Sequence, residues 1–170
     1  MVRLEIGPGY SRSLSSRCYR FNPRYHPDYD VVYLDLRAPD FRCERCSWIV
    51  ADAQRLPFRS CSVDEIYAAH VIEHLEDPLQ FLKECARVLR RGGTVTIETP
   101  NFLSRNAYAD PDHRHVFDFV TLMKLFRRAG LVPHFASPNI GSLLPRWLRR
   151  FLKLFLLILA DTLVVVGEKV

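Results

Sequence analysis

Short apolar, β-branched runs separated by longer helical stretches fill the first hundred residues, and no other feature of the chain constrains its fold as much. Val2 to Ile6 runs straight into Gly7-Pro8-Gly9, a strand followed by a tight turn. Val31 to Leu34 ends in Asp35, and Trp48 to Ala51 ends in Asp52. Val63 to Ala69 and Thr94 to Thr99 complete the set. Runs of this kind belong to strands buried on both faces, which means a mainly parallel sheet wrapped by helices.

The clearest helix lies between the fourth and fifth strands. Asp77 is placed to cap it, Pro78 stands at its first position, and Leu79, Leu82, Cys85, Ala86 and Leu89 recur at helical spacing before Gly92-Gly93 stops it. A second helix covers about Phe119 to Ala129, with Leu122, Leu125, Phe126 and Ala129 on one face and Gly130 as its stop. Leu131 to Ala136 and Thr162 to Val166 read as two closing strands, with a long helix from Ser142 to Ala160 between them. The expected fold class is α/β: a Rossmann-like, doubly wound, mainly parallel seven-stranded sheet in three α/β/α layers. At 170 residues the chain reads as one domain, residues 1–170, and it is long enough to bury a core without a metal or disulfide framework.

In an open parallel sheet, ligands bind outside the carboxyl ends of the strands. Glu5, Gly7, Gly9, Asp35 and Asp52 all stand at or beside such ends and are expected to converge on one crevice. The glycines strip side chains from the turn, letting backbone N–H groups approach a ligand. An ionised carboxylate only accepts hydrogen bonds, so Asp35 suits ribose hydroxyls and Asp52 an exocyclic amine. Taken singly, each aspartate also fits a solvated strand end or a helix cap.

These residues carry a family resemblance. Glu5-Ile6-Gly7-Pro8-Gly9, Asp35, Ala51 to Phe58, Ser62 to Tyr67, His70 to Leu75 and Arg87 to Gly93 stand in the order found in class I S-adenosylmethionine-dependent methyltransferases. The chain resembles the small-molecule branch that includes ubiquinone-biosynthesis-like enzymes, over residues 2 to about 135. The resemblance implies S-adenosyl-L-methionine as cofactor. Gly7 and Gly9 would line its methionyl part, Glu5 would help hold its amino group, and Asp35 would bind the ribose diol. Asp52 and Ala53 would meet the adenine, while Ala69 and His70 would lie along the reactive side. Thr99-Pro100-Asn101 would end the fifth strand near the acceptor. The implied activity is methyl transfer to a small-molecule or glycan- or lipid-like acceptor; the alternative is a non-catalytic S-adenosylmethionine-binding regulatory or partner protein.

The chain departs from the family pattern in three places. Tyr10-Ser11 replaces a third glycine, almost nothing precedes the first strand, and the interval from Asp35 to Ile49 is short. Together they suggest an open pocket, with the 142–160 helix or a second subunit as lid.

Three further features carry competing readings. His70-Val71-Ile72-Glu73-His74 matches the inverted zinc-protease pattern H-x-x-E-H, yet it starts at a strand end and meets Pro78 four residues after His74, leaving barely a turn of helix. The expected metal complement is none. Asp110 to His115 is a histidine-rich loop where the resemblance implies the acceptor site, and His113 or His115 is the candidate base, His113 being the choice, against a surface-loop histidine. The 142–160 helix, cationic early and leucine-rich later, packs on the sheet, forms a dimer contact or lies on a membrane surface.

Composition narrows the rest. The longest charge-free apolar run, Leu154 to Ala160, is seven residues, far below the roughly 20 of a membrane span. The N-terminus lacks the apolar stretch of a signal peptide, so the expected location is cytoplasmic. Five cysteines form an odd set, and Cys43 and Cys46 make only half a zinc knuckle. A net charge of +5 suits an anionic partner, but arginines are spread along the chain with no recognition motif for nucleic acid. The expected partner is the acceptor molecule, and the chain acts as a monomer or homodimer.

Overall fold

The computed structural model describes residues 1–8, 30–38, 47–135 and 161–170. Seven strands form one sheet: β1 (Val2–Ile6), β2 (Asp30–Asp35), β3 (Ser47–Val50), β4 (Val63–Ala69), β5 (Leu89–Pro100), β6 (Val132–Phe135) and β7 (Thr162–Glu168). The order across the sheet is β3-β2-β1-β4-β5-β7-β6. β1 to β5 pair in parallel, and β7 runs antiparallel between β5 and β6. Because the chain winds outward from β1 through β2 and β3, then returns to the middle at β4, the sheet has a switch point between β1 and β4. Such a point leaves a gap above the strand ends where a ligand fits.

Three helices follow in the described residues: α1 (Pro78–Val88), the single turn α2 (Asn106–Ala109) and α3 (Phe119–Arg128). One face of the sheet presents Leu4, Ile6, Leu34, Ile66, Ala68, Val95, Ile97, Leu163 and Val165, and it packs on Phe81, Leu82, Cys85 and Val88 of α1 and on Leu122 and Phe126 of α3. A Cβ on Gly167 would sit 2.4 Å from the ring of Phe126, so only glycine lets α3 lie this close to β7. On the opposite face Val31, Tyr33 and Tyr67 form a smaller cluster with Trp48 and Ala69.

The expected N-terminus of α1 is observed, with Asp77 accepting from Gln80 N at 2.9 Å and Pro78 in the first turn. Its C-terminus differs. α1 stops at Val88 and β5 begins at Leu89, before the two glycines. Partners outside the helix take its last carbonyls, Arg87 O accepting from Cys61 N and Val88 O from Ser62 N, and Leu89 O just beyond accepts from Lys169 Nζ. Leu89 then pairs with Val63 across a register shift. Asp118 caps α3 through Thr121 N at 2.9 Å, and Ala129 and Gly130 end it as expected. The proposed 142–160 helix and the Cys43/Cys46 pair lie outside the described residues. No helix among the described residues is long and apolar enough to cross a membrane.

Candidate active site

A crevice of about 260 Å³ opens at the carboxyl ends of β1 to β4. The end of β1 and the residue after it contribute Ile6 and Gly7, the end of β2 and the residue after it contribute Leu34, Asp35 and Leu36, and the turn after β3 contributes Asp52 and Ala53. Gly7 holds φ +68°, donates its N–H to Leu34 O at 2.8 Å, and faces Val71 so closely that a Cβ would lie 2.4 Å from Val71 Cγ2. Glycine is required here on both counts.

The wall formed by residues 51–58 is held by hydrogen bonds. Ala51 N donates to Asp35 O at 3.0 Å, and Asp52 Oδ1 accepts from Gln54 N at 2.8 Å, so Asp52 both lines the crevice and secures its own turn. Leu56 N donates to Glu84 Oε2, and Arg87 donates to the carbonyls of Leu56 and Phe58 at 2.9 and 2.8 Å. Arg87 also pairs with Glu84 at 2.7 Å, and its guanidinium holds the Glu84 carboxyl below the usual carboxylate range. This network fastens the turn carrying Asp52 and Ala53 to α1.

A second crevice of about 470 Å³ adjoins the first and shares His70 and His74 with it. Its other wall is the segment after β5, with Pro100, Asn106, Ala109, Asp110, Pro111 and His113. His70 sits at the junction with φ +54°, a left-handed conformation uncommon outside glycine, and donates its N–H to Glu98 O at 2.9 Å. Its Nδ1 lies 3.2 Å from Glu73 Oε1. Glu73 is buried, with 1% exposure, and its Oε2 accepts from Thr99 Oγ1 at 3.0 Å. The Glu73 hydrogen bond raises the His70 pKa above the ordinary histidine value; partial burial opposes this, and the charges of Glu73 and Glu98 add to it.

The histidine loop is tied to the same turn. Glu73 O accepts from Arg114 N and His115 N, His74 Nδ1 lies 3.2 Å from Asp112 O, and His113 Nδ1 lies 3.1 Å from Ala107 O. A carbonyl only accepts, so both rings carry hydrogen on Nδ1. The two rings meet edge to face at 4.7 Å between centroids. Donor atoms of Glu73, His74 and His113 lie within 4.8 Å of one another, but both oxygens of Glu73 are already taken by His70 and Thr99. The H-x-x-E-H segment forms only a three-residue 3₁₀ turn, Ile72–His74, rather than the helix a zinc-protease arrangement needs.

Gly7, Asp35, Asp52, Ala53 and His70 thus gather on the first crevice, and His113 lines the second. Glu5 and Ala69 line neither. Glu5 is buried in register with Tyr33 and Tyr67, and Ala69 packs beside that tyrosine cluster. Gly9 lies outside the described residues. The Thr99–Glu73–His70 chain went unread in the sequence. The signal for it was one acid in the apolar stretch Val71-Ile72-Glu73, which the fold buries.

Residues 4–97 match the family model described as a methyltransferase domain. The chain belongs to that family, and its fold is that of the class I S-adenosylmethionine-dependent methyltransferases. A probable S-adenosylmethionine-dependent methyltransferase of Mycobacterium tuberculosis is 35% identical over 112 residues, covering 62% of this chain and 39% of that protein. A malonyl-[acyl-carrier protein] O-methyltransferase of Marinomonas is 32% identical over 101 residues, covering 58% of this chain and 37% of the relative. This chain therefore spans well under half the length of either. The solved structure of a SAM-dependent methyltransferase from Archaeoglobus fulgidus aligns with a TM-score of 0.68 over 99% of this chain and 86% of its own, at 17% identity.

Proposed function

We propose that this chain binds S-adenosyl-L-methionine in the first crevice and transfers its methyl group to a small-molecule or glycan- or lipid-like acceptor in the second. The observation that carries the reading is the contact between the two crevices at His70 and His74. The lining of the first suits the donor: Asp35 and Asp52 offer acceptor oxygens for hydroxyl and amine hydrogens, and Ile6, Leu34, Ala53 and Val71 offer apolar surface for an adenine ring. When bound, the donor supplies a sulfonium methyl open to direct displacement, so the protein's work is alignment and proton removal. Gly9 would meet the methionyl part of the donor, and Glu5 supports the turn at Gly7 from within the sheet. Ala69 positions the residue that follows it. His113 belongs to the acceptor wall. Exposed Phe102, Leu103, Tyr108 and Val116 lie in the segment bearing that wall and favour an acceptor with an apolar part. The protein acts in the cytoplasm.

Incubation with S-adenosylmethionine carrying a labelled methyl group and a fractionated small-molecule and lipid extract tests this. Label entering an organic-phase or glycan fraction supports the reading. Binding of S-adenosylhomocysteine with no labelled product in any fraction supports the alternative, a non-catalytic binding partner.

A further inference from the structure

We propose that His70, oriented by Glu73, takes the proton from the methyl acceptor, and that its gain of positive charge is coupled to the loss of positive charge from the donor sulfur. The inference deepens the function proposed above and rests on it.

Geometry separates His70 from His113. His70 lines both crevices with its side chain 55% exposed, whereas the His113 side chain is 8% exposed and lines only the second. The Nδ1 of His70 faces a carboxylate, which accepts; hydrogen is therefore held on Nδ1 and the lone pair on Nε2. Glu73 is held in turn by Thr99, so a buried hydroxyl and a buried acid orient a base that is exposed at the junction of the crevices. The left-handed backbone of His70 places strain at this same point, as functional sites often do. The Nδ1 of His113 is bound to Ala107 O instead, and its Nε2 lies 4.0 Å from Asp110.

In the step itself a C–O or C–N bond forms between the methyl carbon and the acceptor, and the S–C bond breaks with its electron pair returning to sulfur. The acceptor's O–H or N–H proton passes to His70 Nε2 and later to water. One positive charge leaves the sulfur and one arrives on the imidazole, so the charge of the junction is conserved. Two positive charges at the junction repel, which makes a protonated His70 unfavourable while the sulfonium is bound and allowed once it is gone. The other ionisable groups facing His70 are Glu73, Glu98 of β5, His74, Asp110 and His113 of the loop, and Asp35 and Asp52 across the first crevice.

Calorimetric titration with these two compounds from about pH 5.5 to about pH 8.5 needs no acceptor and spans the histidine range. In the wild type the ratio of the S-adenosylmethionine Kd to the S-adenosylhomocysteine Kd should rise about tenfold or more as pH falls. His70→Asn, which tolerates the left-handed backbone, should flatten the ratio. Glu73→Gln should shift the rise to lower pH, and His113→Gln should leave it in place. A flat ratio in the wild type, a rise that survives in His70→Asn, or one lost in His113→Gln would overturn the proposal. Failure of the folded wild type to bind either compound would instead overturn the donor-site reading. Should His70→Asn not fold, imidazole ¹⁵N spectra of the wild type decide. Hydrogen on Nδ1 and a midpoint higher with S-adenosylhomocysteine than with S-adenosylmethionine support the coupling; hydrogen on Nε2 or the opposite order contradicts it.

Discussion

The two crevices share His70 and His74 but are built from different materials. The first is made of strand ends: Gly7, Asp35 and the turn after β3 are placed by the parallel register of β1, β2 and β3, and the turn is fastened to α1 by Glu84 and Arg87. The second is made of a loop. Residues 100–115 reach the site through side-chain and carbonyl contacts to the turn Ile72–His74, with one helical turn, Asn106–Ala109, between them. The first wall is set by strand register and fastened to α1 by Glu84 and Arg87, while the second rests on contacts within and beside a loop. One sheet can thus keep a constant donor and change its acceptor by altering a loop.

Substitutions can break either side separately. Gly7→Ala should have the largest effect, because it combines a left-handed φ with a 2.4 Å approach to Val71. We expect about 3 kcal/mol of lost stability by thermal melting and S-adenosylhomocysteine affinity weakened about thirtyfold or more by calorimetry. Arg87→Ala should come next. It strips the carbonyls of Leu56 and Phe58 of a charged donor and should cost about 2 kcal/mol in denaturant unfolding, with a smaller loss of affinity as the Asp52 turn loosens.

Glu73→Gln acts on the acceptor side and should cost about 1 kcal/mol near neutral pH while leaving S-adenosylhomocysteine affinity there unchanged. Its pH dependence has a defined sign. Glu73 raises the folded-state pKa of His70, so the associated stability is fully present below the unfolded value of about 6.5 and is lost as pH rises through the folded value. The Tm difference between wild type and Glu73→Gln should be larger at about pH 5.5 than at about pH 8, though exposure of the imidazole keeps the change small. Asp118→Ala should be the mildest, removing the cap of α3 for about 1 kcal/mol without touching either crevice.

The same contrast explains what was legible in the sequence. Buried parallel strands are apolar over several residues, as Ile66 to Ala69 of β4 are, and the crevice residues Gly7, Asp35 and Asp52 follow from their positions at strand ends. The end of α1 was misplaced because local glycines were given more weight than pairing of Leu89 with Val63, which sequence spacing does not display. Glu5, expected at the cofactor, stands on the sheet face of Tyr33 and Tyr67, where strand alternation puts it. The acceptor side was legible only as a histidine-rich loop. Its order depends on contacts such as His74 with Asp112 and Glu73 with Thr99, whose partners lie 38 and 26 residues apart.

The central claim is that the ends of β1 to β4 form a donor site. Calorimetric titration of the purified protein with S-adenosylhomocysteine, repeated on Asp35→Ala, tests it most directly. The account predicts binding by the wild type and a weakening of about tenfold or more, equivalent to about 1.4 kcal/mol, in the variant. A folded wild type that does not bind, or an Asp35→Ala protein that binds equally well, would contradict it.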